Sequence, residues 1–332
     1  MKAAIYHEFG EADVIKLEEY DKPQISDDEV LINVKSVSLN ALDLRLRSGK
    51  SPRPVDLPHI GGIDIAGEIA EVGGNAGDLN VGDRVVVDPT VRLEKGFEVI
   101  GVNRHGGLAE FVKVPAVNVI TIPEGLSFDD AAAAPICTVT AWYGLVERAG
   151  LKEGERVLVH AAGSGTGCMA VQIAKHLGAS QVIATAGSDE KLQKAKELGA
   201  DEIINYNTQD FAEEVKNMTG GKGVNVIFDQ IGASVYEKNI QSLSAKGRLL
   251  LVGVVGGVKA ELMFGPLIMK DLEVLGVTVF NAPRSNLEKA LKLTLNGYIK
   301  SVIDKKFPLS ETAAAHKHIE NRAQFGKVIV NP

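Results

Sequence analysis

The chain has 332 residues and a formal net charge of −7, and its charges form no basic face that would bind a nucleic acid. Its longest apolar run, residues 249–258, is too short to span a bilayer, which takes ~20 residues, and no signal peptide is visible. Two cysteines, Cys137 and Cys168, cannot build a disulfide framework or a thiolate metal site, so we expect a cytoplasmic protein in which both are reduced and buried.

Residues 1–122 are predicted to form a compact antiparallel β domain. Short apolar runs, for example residues 30–35, 84–87 and 118–122, alternate there with closely spaced glycine and proline turn signals. The pattern then changes, because residues 127–147 place an acidic pair before an alanine run, which is typical of a helix. Pro135 should break or kink that helix.

Strands alternate with helices from about residue 155 to 280. The strand candidates are residues 157–160, 181–185, 202–205, 224–229, 248–253 and 273–280. This alternation predicts a parallel, doubly wound sheet that binds its ligand at the carboxyl ends of the strands. The remaining chain is predicted to form a helix at 287–295, a strand at 302–307, a helix at 311–320 and a strand at 327–330.

The first strand of the alternating half leads into a turn of very small residues and then into a helix. Small side chains let a backbone approach a pyrophosphate, and a helix that begins near Thr166 directs free N–H groups and its positive dipole end at that anion. The strict G-x-G-x-x-G pattern is not met, so an ordinary glycine-rich turn is the alternative. Because of the surrounding alternation we predict that the turn binds a dinucleotide, through Ala162, Gly163, Ser164, Gly165, Thr166 and Gly167.

Several short motifs, in this order and spacing, resemble those of the medium-chain dehydrogenase/reductase superfamily over essentially the whole chain. Within it, the zinc-free quinone oxidoreductase group, which includes zeta-crystallin, is the most similar. The motifs are Asn40-Ala41-Leu42-Asp43, Gly62-Ile63-Asp64-Ile65-Ala66-Gly67-Glu68, Val81-Gly82-Asp83-Arg84-Val85, Gly107-Leu108-Ala109-Glu110-Phe111, Thr140-Ala141-Trp142, the turn and helix at 157–179, Leu198-Gly199-Ala200-Asp201, Gly247-Arg248-Leu249 and Gly326-Lys327-Val328.

The resemblance implies an α/β fold in which a Rossmann doubly wound parallel sheet is inserted into a GroES-like β domain. Residues 1–122 and 281–332 would form the GroES-like domain, residues 123–280 the Rossmann domain, and the dinucleotide would lie in the cleft between them. Family members pair the strand that corresponds to residues 273–280 across a dimer axis, so a homodimer is expected.

Zinc is not expected, although zinc alcohol dehydrogenases of this superfamily bind it through a Cys, a His and a second Cys. The matching positions here are Asn40, Ile63 and Ile136, none of which is a suitable zinc ligand. Asp64 takes the place of a neighbouring Glu and is expected to pair with an arginine or lysine. The loop that carries four cysteines in those enzymes, here residues 88–104, has none. We therefore expect neither a catalytic nor a structural zinc, and no Lewis acid.

The end of the second strand of the alternating half favours NADPH. By matching position, Ala186 stands where NAD enzymes carry an acidic residue that binds the ribose. Gly187 opens space for a 2′-phosphate, Ser188 can donate a hydrogen bond to it and Lys191 can supply positive charge. Two alternatives remain, because Asp189 could bind the ribose of NAD and Lys191 could be an ordinary solvated helix residue.

The resemblance also assigns catalytic residues. Asn40 would donate from its amide to a quinone or enone oxygen. Asp43 belongs to the same motif and would either take part in catalysis or, as the alternative, organise the local structure. Arg45 stands where related bacterial enzymes often carry a tyrosine, which favours an anionic or strongly polar acceptor unless Arg45 faces solvent. The residues implied to contact the cofactor near its nicotinamide are Thr140, Gly253, Val254 and Phe280.

These observations predict a zinc-independent, NADPH-dependent reductase that transfers hydride to a quinone or to an activated enone or enal. Two other functions remain open. An enoyl-thioester reductase would explain Arg45 if that residue contacts a phosphate of the substrate. An NADPH-binding protein with negligible turnover, acting as a redox sensor or a structural protein, is the alternative from another class.

Overall fold

A computed structural model describes residues 1–51 and 55–332. The chain divides into two compact units. The first, here called the β unit, comprises Met1–Ile136, Leu287–Leu295 and Ser301–Pro332. The second, here called the α/β unit, comprises Cys137–Asn286 and Asn296–Lys300. The domain limits expected from the sequence, at residues 122 and 280, stay a prediction.

Strands and helices are numbered along the chain. The strands are β1 Lys2–Tyr6, β2 Lys16–Glu19, β3 Glu29–Leu39, β4 His59–Ile60, β5 Asp64–Val72, β6 Arg84–Val87, β7 Thr90–Arg92, β8 Phe97–Val99, β9 Phe111–Pro115, β10 Val119–Thr121, β11 Arg156–Val159, β12 Gln181–Ala186, β13 Glu202–Asn205, β14 Val224–Asp229, β15 Leu243–Leu251, β16 Glu273–Gly276, β17 Ile303–Pro308 and β18 Lys327–Asn331. The helices are α1 Ala41–Arg47, α2 Phe128–Ala132, α3 Val139–Trp142, α4 Gly165–His176, α5 Asp189–Glu197, α6 Phe211–Met218, α7 Tyr236–Ser242, α8 Phe264–Met269, α9 Ser285–Leu295 and α10 Thr312–Glu320.

The β unit is built around a seven-stranded sheet. Its strand order is β10-β6-β5-β3-β18-β17, with β9 also paired to β3, and all these pairs except β17 with β18 are antiparallel. Strand β3 is buried along most of its length because it lies inside the sheet and carries apolar residues on both of its faces. The end of the chain completes the same core, since Phe307, Val328 and Val330 pack into it.

The α/β unit contains the predicted parallel sheet. Its order is β13-β12-β11-β14-β15-β16 and every pair is parallel, which is the doubly wound arrangement expected from the alternation of strands and helices. The prediction of the fold is therefore confirmed. Five adjacent strands each contribute a fully buried aliphatic side chain to one core, namely Leu158, Ile183, Ile204, Ile227 and Leu249.

The predicted edge strand at 273–280 is too long. Strand β16 ends at Gly276, and Val279–Asn281 forms a 3₁₀ turn that contains Phe280. The neighbouring strand β15 ends at Leu251, whose carbonyl accepts a last hydrogen bond from the N–H of Val277 at 3.0 Å. The apolar, β-branched residues 277–280 favour a strand, but a strand needs hydrogen-bonding partners on a neighbouring strand. Strand β15 provides no such partners beyond Leu251.

The predicted helix at 127–147 is interrupted, as expected from Pro135. Helix α2 ends at Ala132, and the chain continues through wide π turns at Ala134–Thr138 and Tyr143–Arg148. Proline has no N–H to donate to the preceding turn, and the wider π turn accommodates its ring. Among the described residues no helix is long and apolar enough to cross a membrane. Both cysteines are buried free thiols, as predicted.

A buried histidine should make the β unit sensitive to acid. His316 on α10 is 2% exposed, and burial together with the nearby charge of Arg47 lowers its pKa to about 3. In the unfolded chain the imidazole has its ordinary pKa of 6.5 and binds a proton there, whereas in the folded chain it stays neutral. Lowering the pH from the unfolded pKa towards the folded pKa therefore favours unfolding. We expect His316→Leu to lose less of its thermal stability than the native protein when the pH is lowered from 7 to 5, measured as the shift in Tm.

The matched control for this experiment is His7→Gln, since His7 is exposed on the same unit. Its Tm should fall with pH as that of the native protein does. Equal losses of Tm in the native protein and in His316→Leu would contradict the assigned role of His316.

Candidate active site

Strand register gathers three polar residues at one end of the main sheet of the β unit. Val328 on β18 lies opposite Leu39 on β3, and the strands are antiparallel, so Lys327 falls beside Asn40. On the other side of β3, Ser38 lies opposite Asp64, the first residue of β5. The three side chains of Lys327, Asn40 and Asp64 therefore meet although they come from distant parts of the sequence.

These side chains form a hydrogen-bonded group, here called the lysine cluster (Asn40, Asp64 and Lys327). Lys327 Nζ donates to Asn40 Oδ1 at 2.6 Å and to Asp64 Oδ2 at 3.2 Å. Asn40 Nδ2 donates to Asp64 Oδ2 at 2.9 Å, and the N–H of Ile136 donates to Asp64 Oδ1 at 3.0 Å. The ammonium and the carboxylate together fix which way the Asn40 amide is turned.

The lysine cluster is almost completely removed from solvent. The side chain of Lys327 is 4% exposed and that of Asp64 is not exposed at all. Burial raises the pKa of the Asp64 carboxyl, and the charge of Lys327 is the largest influence that opposes this rise. The expected pairing of Asp64 with a basic residue is thus confirmed, and Lys327 is the partner.

Asp43 is held by the backbone rather than by side chains. Its Oδ2 accepts the N–H of Asn40 at 2.8 Å, and its Oδ1 accepts the N–H of Gly62 at 3.1 Å. Burial raises the pKa of its carboxyl to about 6. Asp43 therefore caps α1 and ties it to the segment before β5, which is an organising role; its participation in catalysis stays a prediction.

The other predicted catalytic residues are also in the β unit. Asn40 Nδ2 already donates to Asp64 and, at 3.3 Å, to the carbonyl of Ser38, so donation to an acceptor oxygen requires one of these bonds to be exchanged. Arg45 is half-buried on α1, with Nη2 3.5 Å from the carbonyl of Lys50. Its contact with an acceptor stays a prediction, as does that of Asn40.

The residues at the positions that match a catalytic zinc site do not fit a zinc ion. Ile63 is a fully buried aliphatic residue, and Ile136 contributes its N–H rather than a lone pair. The oxygen of Asn40 faces the ammonium of Lys327, whose positive charge repels a cation. Among residues 1–51 and 55–332, no group of three or more His, Cys, Asp or Glu is arranged to hold a metal.

The turn between β11 and α4 has the geometry of an anion site. Ser164 caps the twelve-residue helix, because its Oγ accepts the N–H of Gly167 at 2.9 Å. A Cβ at Gly167 would lie 2.2 Å from the carbonyl oxygen of Ala161, so only glycine allows the helix to pack this closely on the strand. Ala162 and Gly163 are buried, whereas Gly165 and Thr166 are partly open at the helix start.

The end of β12 presents no carboxylate at the matching position. Ala186 is the buried last residue of the strand, and Ser188 caps α5 by accepting the N–H of Lys191 at 3.4 Å. The carboxylate of Asp189 accepts a hydrogen bond of 2.7 Å from Asn205 Nδ2 on the neighbouring strand β13. This bond gives Asp189 a structural partner and weakens its interpretation as a ribose ligand.

All the cofactor contacts predicted from the sequence lie in the α/β unit. Thr140 is buried on α3, Gly253 and Val254 follow the end of β15, and Phe280 is half-buried in its 3₁₀ turn. Sequence reasoning named Lys327 only within the Gly326-Lys327-Val328 motif and gave it no role, although a lone lysine beginning an otherwise apolar strand was a usable signal. It also missed the buried Arg47, which pairs with Glu320, and Gln230, described below.

Two family models match parts of this chain. The family model described as "Alcohol dehydrogenase GroES-like domain" matches residues 26–124, and the one described as "Zinc-binding dehydrogenase" matches residues 165–296. The chain belongs to the medium-chain dehydrogenase/reductase superfamily. Within this superfamily it is a member of the quinone oxidoreductase group and, like its relatives, an oxidoreductase.

Two curated relatives of this superfamily cover nearly the whole chain. The quinone oxidoreductase of Pongo abelii is 33% identical over 99% of this chain and 97% of its own length. The 2-haloacrylate reductase of Burkholderia sp is 32% identical over 99% of this chain and 98% of its own length.

Two solved structures of the superfamily are similar over 100% of both chains. An NAD-dependent alcohol dehydrogenase has a TM-score of 0.94 at 36% identity. The Escherichia coli quinone oxidoreductase, solved in complex with NADPH, has a TM-score of 0.88 at 29% identity.

Proposed function

We propose that this protein is an NADPH-dependent reductase that transfers hydride, without zinc, to a quinone or to an activated enone or enal. The observation that carries the proposal is the end of β12, where the buried methyl group of Ala186 replaces a carboxylate that would repel a 2′-phosphate. The related Escherichia coli enzyme with bound NADPH supports it.

The residues of the α/β unit would bind NADPH through its phosphates. The first-turn N–H groups of α4 would bind the pyrophosphate, and Lys191 would pair with the 2′-phosphate. The hydroxyl of Ser188 accepts the N–H of Lys191 and still has its own hydrogen to donate. When bound, NADPH supplies the hydride, and these residues hold and orient it.

The lysine cluster supports independence from zinc. It holds a fixed positive charge among residues that offer no set of metal ligands, so any polarisation of an acceptor would come from protein groups. Chelation should therefore leave the activity unchanged.

A second substrate class is favoured by one relative and one residue. The Burkholderia sp relative is named a 2-haloacrylate reductase, and a haloacrylate is an activated alkene that carries a carboxylate. Arg45 supplies a guanidinium on α1 that could pair with such a carboxylate. An α,β-unsaturated acid is therefore the alternative acceptor.

The proposal is tested by following oxidation of NADPH and NADH with a naphthoquinone, phenanthrenequinone, 2-hexenal, a haloacrylate, crotonyl-CoA and a simple ketone. The quinones, the enal or the acid should react and the ketone should not. Turnover of crotonyl-CoA alone would identify an enoyl-thioester reductase. Tight NADPH binding with no turnover would instead identify a binding protein.

Replacing Lys191 should lower the activity with NADPH and leave the activity with NADH unchanged. We expect Lys191→Ala to lower kcat/KM for NADPH about tenfold, because one charge-assisted contact with the 2′-phosphate is lost, and to leave the value for NADH unchanged. The control is Lys194→Ala on the same helix, since Lys194 pairs with Glu190. A change of equal size for both cofactors in Lys191→Ala would contradict the assignment.

We also propose a homodimer formed through the edge of the parallel sheet. Among the described strands β16 pairs only with β15, and α8 beside it exposes Phe264 (67%), Ile268 (74%) and Met269 (84%). An open strand edge next to an apolar patch is typically covered by a partner. Light scattering should give twice the chain mass for the native protein and a larger monomer fraction for Ile268→Asp; a native monomer would contradict the proposal.

A further inference from the structure

A single side chain spans the base of the predicted pyrophosphate turn. Gln230 directly follows the last residue of β14, and its Nε2 donates to the carbonyl of His160 at 2.9 Å. Its Oε1 accepts a hydrogen bond of 2.8 Å from Ser164 Oγ. One amide thus contacts both ends of the 160–164 turn.

The Gln230 amide connects directly to the helix that would bind the anion. Ser164 Oγ donates its only hydrogen to Gln230 and accepts the N–H of Gly167 at 2.9 Å. A hydroxyl that gives its hydrogen to a fixed acceptor keeps its lone pairs in a fixed direction. Gln230 therefore sets the orientation in which Ser164 caps α4.

The backbone at the end of β14, which carries Gln230, is itself held by hydrogen bonds. The preceding residue, Asp229, is fully buried and accepts the N–H of Ile231 at 2.6 Å and of Gly232 at 3.1 Å. Asn239 Nδ2 on α7 donates to the same carboxylate at 3.1 Å. These bonds fix the end of β14 and hence the starting point of the Gln230 side chain.

Gln230 also touches a second segment predicted to contact the cofactor. A Cβ at Gly253 would lie 2.5 Å from the carbonyl oxygen of Gln230, so the chain after β15 packs directly on this residue. Gln230 is therefore in contact with both the 160–164 turn and Gly253.

The turn needs such a support because its backbone is unfavourable. Ala161 has φ +50, a left-handed conformation that a residue with a Cβ seldom adopts. Strained residues persist when their surroundings over-determine them, and here the groups on either side of Ala161, at His160 and Ser164, are held by one amide.

We propose that Gln230 is a positioning residue that holds the 160–164 turn in the conformation that binds the pyrophosphate of the dinucleotide. The proposal rests on the proposed function, since it presupposes that this turn binds NADPH. Gln230 acts through the turn and needs no contact of its own with the cofactor.

The test compares two ligands in two variants. Gln230→Met keeps the length of the side chain and removes both hydrogen bonds. The control is Gln241→Met on α7, an exposed residue outside the turn. The ligands are NADPH and 2′-AMP, which carries the adenosine and the 2′-phosphate but no pyrophosphate.

We expect Gln230→Met to raise the Kd for NADPH about tenfold, a loss of roughly 1.4 kcal/mol, and to leave the Kd for 2′-AMP unchanged. Gln241→Met should bind both ligands as the native protein does. A purely structural role would weaken both ligands together, and that result would overturn the inference. Native-like NADPH binding by Gln230→Met would overturn it too, with the proposed function intact. Failure of the native protein to bind NADPH would instead remove the proposed function.

Discussion

Lys327→Met is expected to lower the free energy of unfolding by about 3–5 kcal/mol, because it leaves the buried carboxylate of Asp64 without its cation. Asp64 is fully buried, and the positive charge of Lys327 is the largest influence that keeps the pKa of its carboxyl from rising further. The Oδ1 atom of Asn40 loses the hydrogen bond from the ammonium in the same variant. Chemical denaturation followed by fluorescence or circular dichroism measures the effect.

Two further variants test whether the loss of stability comes from the pair of charges on Lys327 and Asp64. Lys305→Met removes an exposed lysine from the adjacent strand β17 and should leave stability within about 0.5 kcal/mol of the native value. Asp64→Asn combined with Lys327→Met removes both charges and should recover much of the lost stability. A native-like Lys327→Met protein would show that the ammonium does not stabilise this site.

Gly167→Ala is expected to abolish measurable NADPH binding and to lower stability by about 3 kcal/mol, since the added Cβ collides with backbone that has no room to move. The nearest atoms would be the carbonyl oxygen of Ala161 at 2.2 Å and the Cα of Ala162 at 2.8 Å. The helix would have to move away from the strand and carry its N–H groups out of line with the pyrophosphate. Fluorescence titration with NADPH and the Tm measure the two effects.

Gly74→Ala is the matched control, because a Cβ there would meet only the side chain of Asp27, whose Oδ1 lies at an ordinary contact distance of 3.6 Å. It should bind NADPH with the native Kd. If Gly167→Ala bound NADPH equally well, the turn between β11 and α4 would not be the phosphate site.

The architecture was predictable because it follows from local pattern. Buried parallel strands are short apolar runs in the sequence. Helices lie between them, and this alternation of strands and helices predicts a doubly wound sheet. Leu158, Ile183 and Ile227 lie in runs of this kind, and all three are in the core. The last strand of the tail was predictable in the same way, whereas its place in the sheet of the β unit, as β18, was implied by the resemblance to the family.

The lysine cluster was not predictable from local pattern. Lys327 and Asn40 are 287 positions apart and meet only through the register of β18 on β3. A lysine at the start of an apolar strand is a local sign of burial, but it does not identify the amide and the carboxylate that its ammonium contacts. Asp64 pointed to a basic partner, but a sequence alone does not choose among 36 lysines and arginines.

Gln230 was missed and the edge strand β16 was predicted too long for related reasons. The role of Gln230 depends on where β14 ends beside β11, which is a property of the assembled sheet. The length of β16 depends on where its neighbour β15 ends, at Leu251, and not on the β propensity of residues 277–280. Pairing partners, rather than composition, determine both features.

The most direct test of the account is the reduction of a naphthoquinone by protein that has been treated with a chelator and shown to be free of metal. We predict undiminished turnover and a kcat/KM for NADPH at least about tenfold above that for NADH, equivalent to roughly 1.4 kcal/mol in favour of the 2′-phosphate. Turnover that disappears on chelation and returns with zinc, or a preference for NADH, would contradict it.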